Sequence, residues 1–356
     1  MKGDAAERGA LQTSLGCPEN ILATVADAES YVLLLLSYEV ITGHRIALAF
    51  SFIAVKELVM KGKEPIFRGA ATALVTPFTE NGVDYENFGR LIDWQIEKGI
   101  DALVIAGTSG EGSTLSDAEH KAVIKYAVEK VNHRVPVIAG TGSNETPYAI
   151  ELSQYACSVG VDGLLVVTPY YNKATQKGLV KMYYSIADAT DKPLIVYNVP
   201  SRTGVNIEPR TYVELARHDR IVAIKEANGN ISKIVETAAL VGDRLDIYSG
   251  NDDQIVPMLS VGGQGVISVL SNIMPAETSR MCHLYFEGKV QESAKMQMDL
   301  IPLINALFCE VNPIPAKAAV SAMGFGKNIL RLPLTEMESE HEANLLQLMR
   351  YHGLIG

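Results

Sequence analysis

From Phe67 onward the chain alternates short apolar, β-branched runs with stretches whose apolar residues recur at helical spacing. The runs are Ala71–Pro77, Ala102–Gly107, Pro136–Gly140, Gly163–Thr168, Pro193–Val199, Ile221–Lys225, Leu245–Ser249 and Gly265–Val269. They are apolar at nearly every position, as strands buried on both faces are, and such strands separated by helices pair in parallel. Helical patterns follow the runs, for example Asp117–Val131, Pro147–Val159 and Gln176–Ala189. Eight such units in sequence predict an α/β chain folded as a closed (β/α)8 TIM barrel rather than an open doubly wound sheet. After the eighth run the pattern is helical only, including Glu292–Phe308 and Glu338–His352, which predicts a C-terminal helical appendage.

Residues 1–59 differ in character from the rest. They hold the only membrane-like stretch, Tyr31 to Val55, but Glu39, His44 and Arg45 interrupt it, so neither apolar piece approaches the ~20 residues of a spanning helix. The apolar part also starts too far in, without a basic flank, for a signal peptide. This segment is read as an upstream extension, consistent with a misassigned start codon, with no part in catalysis. The expected organisation is therefore 1–59 extension, 60–274 catalytic barrel and 275–356 helical region.

A net charge of −10 without any basic run argues against nucleic acid or an anionic membrane as partner, so a small anionic substrate would need local basic residues. Cys17, Cys157, Cys282 and Cys309 lie far apart with no CxxC or His-Cys spacing. They read as buried thilols of a cytoplasmic protein, with no metal site.

In a parallel barrel the chemistry sits where strands end and βα-loops begin. Those positions carry Gly107-Thr108-Ser109-Gly110-Glu111, Gly140-Thr141-Gly142-Ser143-Asn144, Thr168-Pro169-Tyr170-Tyr171-Asn172, Tyr197-Asn198-Val199-Pro200-Ser201-Arg202, Lys225 and Ser249-Gly250-Asn251-Asp252. Lys225 stands out because it ends a buried, β-branched run. A lone lysine there more often snorkels to water. Desolvation would instead lower its pKa and supply a free amine able to attack a carbonyl as a Schiff-base nucleophile. Convergence of so many polar groups at one end of one barrel favours the second reading.

These segments resemble the dihydrodipicolinate synthase family, within the pyruvate-dependent Schiff-base aldolases that include N-acetylneuraminate lyase. The resemblance spans about Phe67 to Gly356 and rests on Gly107–Glu111, Thr168–Asn172, Tyr197–Gly204 and Ile224–Ala227. It implies condensation of pyruvate with aspartate 4-semialdehyde, in lysine and diaminopimelate biosynthesis, without a cofactor. Lys225 would form the imine and Tyr197 would move the protons, with Thr108 and Tyr171 completing a relay. Tyr171 would reach into a neighbouring subunit's site, in a homo-oligomer expected to be a tetramer built as a dimer of dimers.

The resemblance also assigns substrate contacts to Thr108, Ser109, Arg202, Gly250 and Ile267. Consecutive N–H groups in the Gly107–Gly110 turn suit a carboxylate. Ser109 stands where the family usually has threonine, which implies slightly weaker pyruvate positioning with retained activity. Arg202 can grip a carboxylate bidentately and favours aspartate semialdehyde as acceptor over a sialic acid or a 2-keto-3-deoxy sugar acid, the alternative substrates. A non-catalytic barrel that binds a keto acid is a further alternative. In lysine-inhibited members a pocket near Gly112, Ser113, Asp117, His120, Asn144 and Tyr148 binds the amino acid. Tyr148 replaces the pocket's key acidic residue, so weak or absent inhibition is expected.

Overall fold

All eight apolar runs become parallel strands of a closed barrel. In chain order, with a small hairpin counted, they are β1 (Gly69–Ala73), β4 (Ala102–Ile105), β5 (Val137–Gly140), β6 (Gly163–Val167), β7 (Leu194–Asn198), β8 (Ile221–Glu226), β9 (Asp246–Ser249) and β10 (Gly265–Ser268). Each pairs with its sequence neighbour, and β1 pairs with β10 to close the ring. The computed structural model describes residues 64–356, of which Pro65–Gly356 form one unit. The stretch read as an upstream extension lies outside the described residues.

The helices over the barrel are α1 (Tyr85–Glu97), α2 (Asp117–Val131), α3 (Thr146–Ser158), α4 (Gln176–Asp188), α5 (Pro200–Thr203), α6 (Pro209–Leu215), α7 (Ile231–Val241), α8 (Ile255–Leu259) and α9 (Pro275–Phe286). Then come α10 (Val290–Leu307), α11 (Ile314–Ala322) and α12 (Ser339–Tyr351). The start of α2 is set locally. Ser116 Oγ accepts from the Glu119 N–H while the Glu119 carboxylate accepts from the Ser116 N–H, a reciprocal capping box. No helix among the described residues is long and apolar enough to cross a membrane.

Side-chain alternation along the strands creates two cores. Ala71, Ala73, Ala102, Val104, Ile138, Leu165, Ile195, Tyr197, Ala223, Tyr248 and Ile267 fill the barrel interior, while their sequence neighbours pack under the helices. Small inward residues leave room for the tyrosines. Phe67 stacks on Tyr248 at 4.3 Å and accepts the Tyr248 phenol proton at its carbonyl, 2.7 Å away, which fixes that ring inside. On β8 the same alternation turns Lys225 inward with Ala223 and turns Glu226 outward with Ile224.

Three expectations are corrected. The first run does not stay in the sheet through Pro77: β1 ends at Ala73, and a hairpin of β2 (Phe78–Thr79) and β3 (Gly82–Val83) follows. The region after β10 is not helical throughout, because residues 324–338 run as irregular chain back to the barrel loops, where Lys327 bridges Phe78. Of the three cysteines described, Cys282 is buried and Cys157 half-buried, but Cys309, just beyond α10, is exposed.

Candidate active site

A cavity of about 390 Å³ opens at the C-terminal ends of the strands. Thr108, Tyr197 and Arg202 line it, together with His120, Ser113 and Tyr148. Lys225 is buried outside that lining, and its amine nitrogen lies 4.3 Å from the centroid of the Tyr197 ring. Strand register explains the pairing, since Tyr197 on β7 stands directly opposite Lys225 on β8. Tyr197 thereby links the open cavity to the buried amine.

Burial pushes the Lys225 amine down to about 7; the nearby Asp252 charge opposes that shift and Arg202 adds to it. A free amine is thus accessible at neutral pH, as imine chemistry requires. Burial also raises the Tyr197 phenol, while Arg202 and a hydrogen bond with Thr108 pull it back. The phenol stays protonated and can serve as the proton donor. Thr108, Tyr197 and Lys225 therefore form one connected group.

The turn after β4 is held from several sides. Glu111 N–H donates to the Thr108 carbonyl at 3.1 Å, Gly112 N–H to the Gly107 carbonyl at 3.2 Å, and the Thr76 hydroxyl to the Gly110 carbonyl at 2.8 Å. A side chain at Gly112 would bring a carbon within 2.3 Å of the Ala106 carbonyl oxygen, so the turn closes only with glycine there. Ser109 is buried, and its hydroxyl accepts from the Asn312 amide at 3.0 Å. Arg202, on α5, donates to the Asn312 carbonyl at 3.2 Å. Asn312, which no local pattern singles out, therefore touches both carboxylate-binding candidates.

Gly250 follows β9, where its N–H donates to the Glu226 carbonyl at 2.8 Å and a Cβ would lie 2.7 Å from that of Ala227. Ile267 on β10 is fully buried among the inner residues. Tyr171 stands apart at 92% exposure with φ +69°, and it is Tyr170 that lines the cavity.

Gly112, Ser113, His120 and Tyr148 line the same cavity as Thr108. His120 Nε2 lies 2.9 Å from the Gly140 carbonyl, and burial lowers its pKa. Asp117 is 3.0 Å from the Lys121 amine, and burial followed by the Asp117 charge raises the Tyr148 phenol. Asn144, in the loop after β5, accepts from the Asn172 amide at its carbonyl.

Asp252 is a component that sequence reading passed over. It is buried, and its Oδ2 accepts the N–H groups of Val269 and Leu270, both at 2.9 Å. Its place in the Ser249–Asp252 strand end was the available signal.

Residues 66–351 match the family model described as the dihydrodipicolinate synthetase family. The chain belongs to that family. The 4-hydroxy-tetrahydrodipicolinate synthase of Acetivibrio thermocellus is 54% identical over 293 residues, covering 82% of this chain and all of the relative. The dihydrodipicolinate synthase structure from Thermotoga maritima is 42% identical with a TM-score of 0.80, over 82% of this chain and all of that one. A dihydrodipicolinate synthase from Acinetobacter baumannii, solved with pyruvate, is 41% identical with a TM-score of 0.79, over 81% and 99%. Family membership accounts for the barrel, and the geometry above describes how this member arranges its strand ends.

Proposed function

We propose that Lys225 is the Schiff-base nucleophile and Tyr197 the proton donor and acceptor of this enzyme. The reaction is that of 4-hydroxy-tetrahydrodipicolinate synthase, in which pyruvate condenses with aspartate 4-semialdehyde in the diaminopimelate route to lysine. The single observation that carries the assignment of roles is the dry, depressed amine of Lys225 held against the Tyr197 ring.

In this reading the Lys225 amine attacks the ketone carbon of pyruvate, and Tyr197 delivers the proton with which water leaves. The protonated imine then draws electrons from the neighbouring carbon. Loss of a methyl proton gives the enamine, whose carbon attacks the aldehyde as the aldehyde oxygen takes up a proton. The acceptor's own amino group then adds to the regenerated imine carbon, closing the ring and expelling Lys225 as the free amine. The Gly107–Gly110 turn holds the pyruvate carboxylate and Arg202 that of the acceptor. Gly250 and Ile267 are assigned the remaining substrate contacts on the family motifs. A coupled assay tests acceptor choice: turnover with aspartate semialdehyde and none with a sialic acid supports this reading, and the reverse overturns it.

The working form is proposed to be a cytoplasmic homotetramer, a dimer of dimers, in which Tyr171 completes a neighbour's relay. The support is the paired Tyr170 and Tyr171 on one loop, with Tyr171 almost wholly exposed in a left-handed conformation. Mixing inactive Tyr171→Phe with inactive Lys225→Ala should restore activity once subunits exchange. Verified exchange without recovery would count against sharing.

A further inference from the structure

The C-terminal helical region sends a charged side chain into the base of the substrate turn. Lys317 on α11 donates to Glu111 Oε1 at 2.6 Å, with 3% and 1% of the two side chains exposed. The same amine donates to the Ile329 carbonyl at 2.5 Å and lies 3.9 Å from the centroid of the Phe78 ring. The other Glu111 oxygen accepts the Arg331 N–H at 3.1 Å. The Arg331 side chain goes on to the Thr114 carbonyl and, through two nitrogens, to the Glu119 carboxylate. Both ends of the turn's exit are therefore tied to residues 317–331.

Glu111 is also conformationally unusual, with φ +53° at a residue that carries a Cβ. Such a state persists only where surrounding contacts over-determine it. A buried ion pair often adds little net stability, because desolvation offsets the attraction, but it demands one geometry. Here that geometry fixes the residue directly following Thr108, Ser109 and Gly110.

We propose that the Lys317–Glu111 pair is a positioning device for the pyruvate site, holding the Gly107–Gly110 turn so that its N–H groups and the Thr108 hydroxyl face the bound carboxylate and Tyr197. Neither residue touches substrate. The inference rests on the reading of that turn as the pyruvate site and of Lys225 as the nucleophile.

The test titrates pyruvate against the full-length enzyme and traps the imine with borohydride, while thermal unfolding follows stability. Lys317→Met strands a buried carboxylate, so Tm falls and half-saturation for pyruvate rises about tenfold or more, with kcat at saturation changing less. The double variant Lys317→Met/Glu111→Leu removes both charges. It should recover much of the Tm yet keep a half-saturation about fivefold or more above wild type, since nothing then clamps the turn. Glu111→Gln, which keeps the side-chain shape, should show the same direction to a smaller degree and serves if the others fail to fold. A folded variant lacking the pair with wild-type half-saturation overturns the proposal and leaves the pair a purely structural role. No adduct in the wild type would strike the Lys225 assignment instead, so the two failures are distinguishable.

Discussion

The Lys225 amine lies against the Tyr197 ring, 4.3 Å from its centroid, because adjacent strands β7 and β8 place the two residues directly opposite. Both side chains turn into the barrel by the alternation of their strands. Burial then acts on them in opposite directions, lowering the amine and raising the phenol, so both favour the neutral form. A neutral nucleophile beside a neutral proton donor is the pairing that imine formation needs.

The pH dependence follows. With the amine at about 7, the initial rate of imine formation at limiting pyruvate should rise with pH and reach half its plateau near that value. The Asp252 charge holds the amine up, so Asp252→Asn should move the midpoint to lower pH, while its amide oxygen can still accept from Val269 and Leu270. Stopped-flow measurement across pH 5 to 9 checks both. A midpoint near the ordinary 10.5, or an upward shift in Asp252→Asn, contradicts the electrostatic picture.

Lys225 should also cost stability in a defined window. Its folded pKa of about 7 lies below its ordinary 10.5, so between those values the unfolded chain binds more protons and stability rises with pH. Below about 7 the native state bears the whole penalty of burying the ammonium. Lys225→Met should therefore raise Tm by several degrees at pH 6, with the gain shrinking steadily toward pH 10.5. A gain independent of pH would show that packing, not charge, sets the effect.

The barrel was legible because fully buried parallel strands read as unbroken apolar runs and the helices between them as periodic ones. The Asp117–Val131 pattern coincides with α2 because its Ser116 and Glu119 cap lies within four residues of sequence. Leu74–Pro77 misled, since these residues are buried as strand residues are but pack outside the sheet, where Val75 N–H donates to Asn272. Strands as short as Phe78–Thr79 leave no period to detect. At the site, the strand-end placement of Lys225, Tyr197, Thr108 and Arg202 was readable from the pattern of runs, while the roles proposed for them come from the family motifs. The parts that hold them were not: Lys317 meets Glu111 across 206 residues and Asn312 meets Ser109 across 203, separations that no local pattern spans.

Free lysine should inhibit weakly. Tyr148 supplies no carboxylate, and Asp117, the nearest substitute in sequence, is engaged by Lys121. Lacking one charge-assisted bond of about 1.5–3 kcal/mol, the pocket should lose roughly one to two decades of affinity. Steady-state assays at subsaturating pyruvate with lysine into the millimolar range decide the matter. Half-inhibition below about a millimolar would mean that another group replaces the missing carboxylate.

The most direct test of the central claim is borohydride trapping in the presence of pyruvate, with peptide mass mapping of the product. The expected result is a single reduced pyruvate adduct on the Lys225 peptide, lost in a folded Lys225→Ala variant that also ceases to condense the two substrates. An adduct on a different lysine, or a Lys225→Ala enzyme that retains a rate within about tenfold of wild type, would contradict a Schiff-base mechanism at this residue.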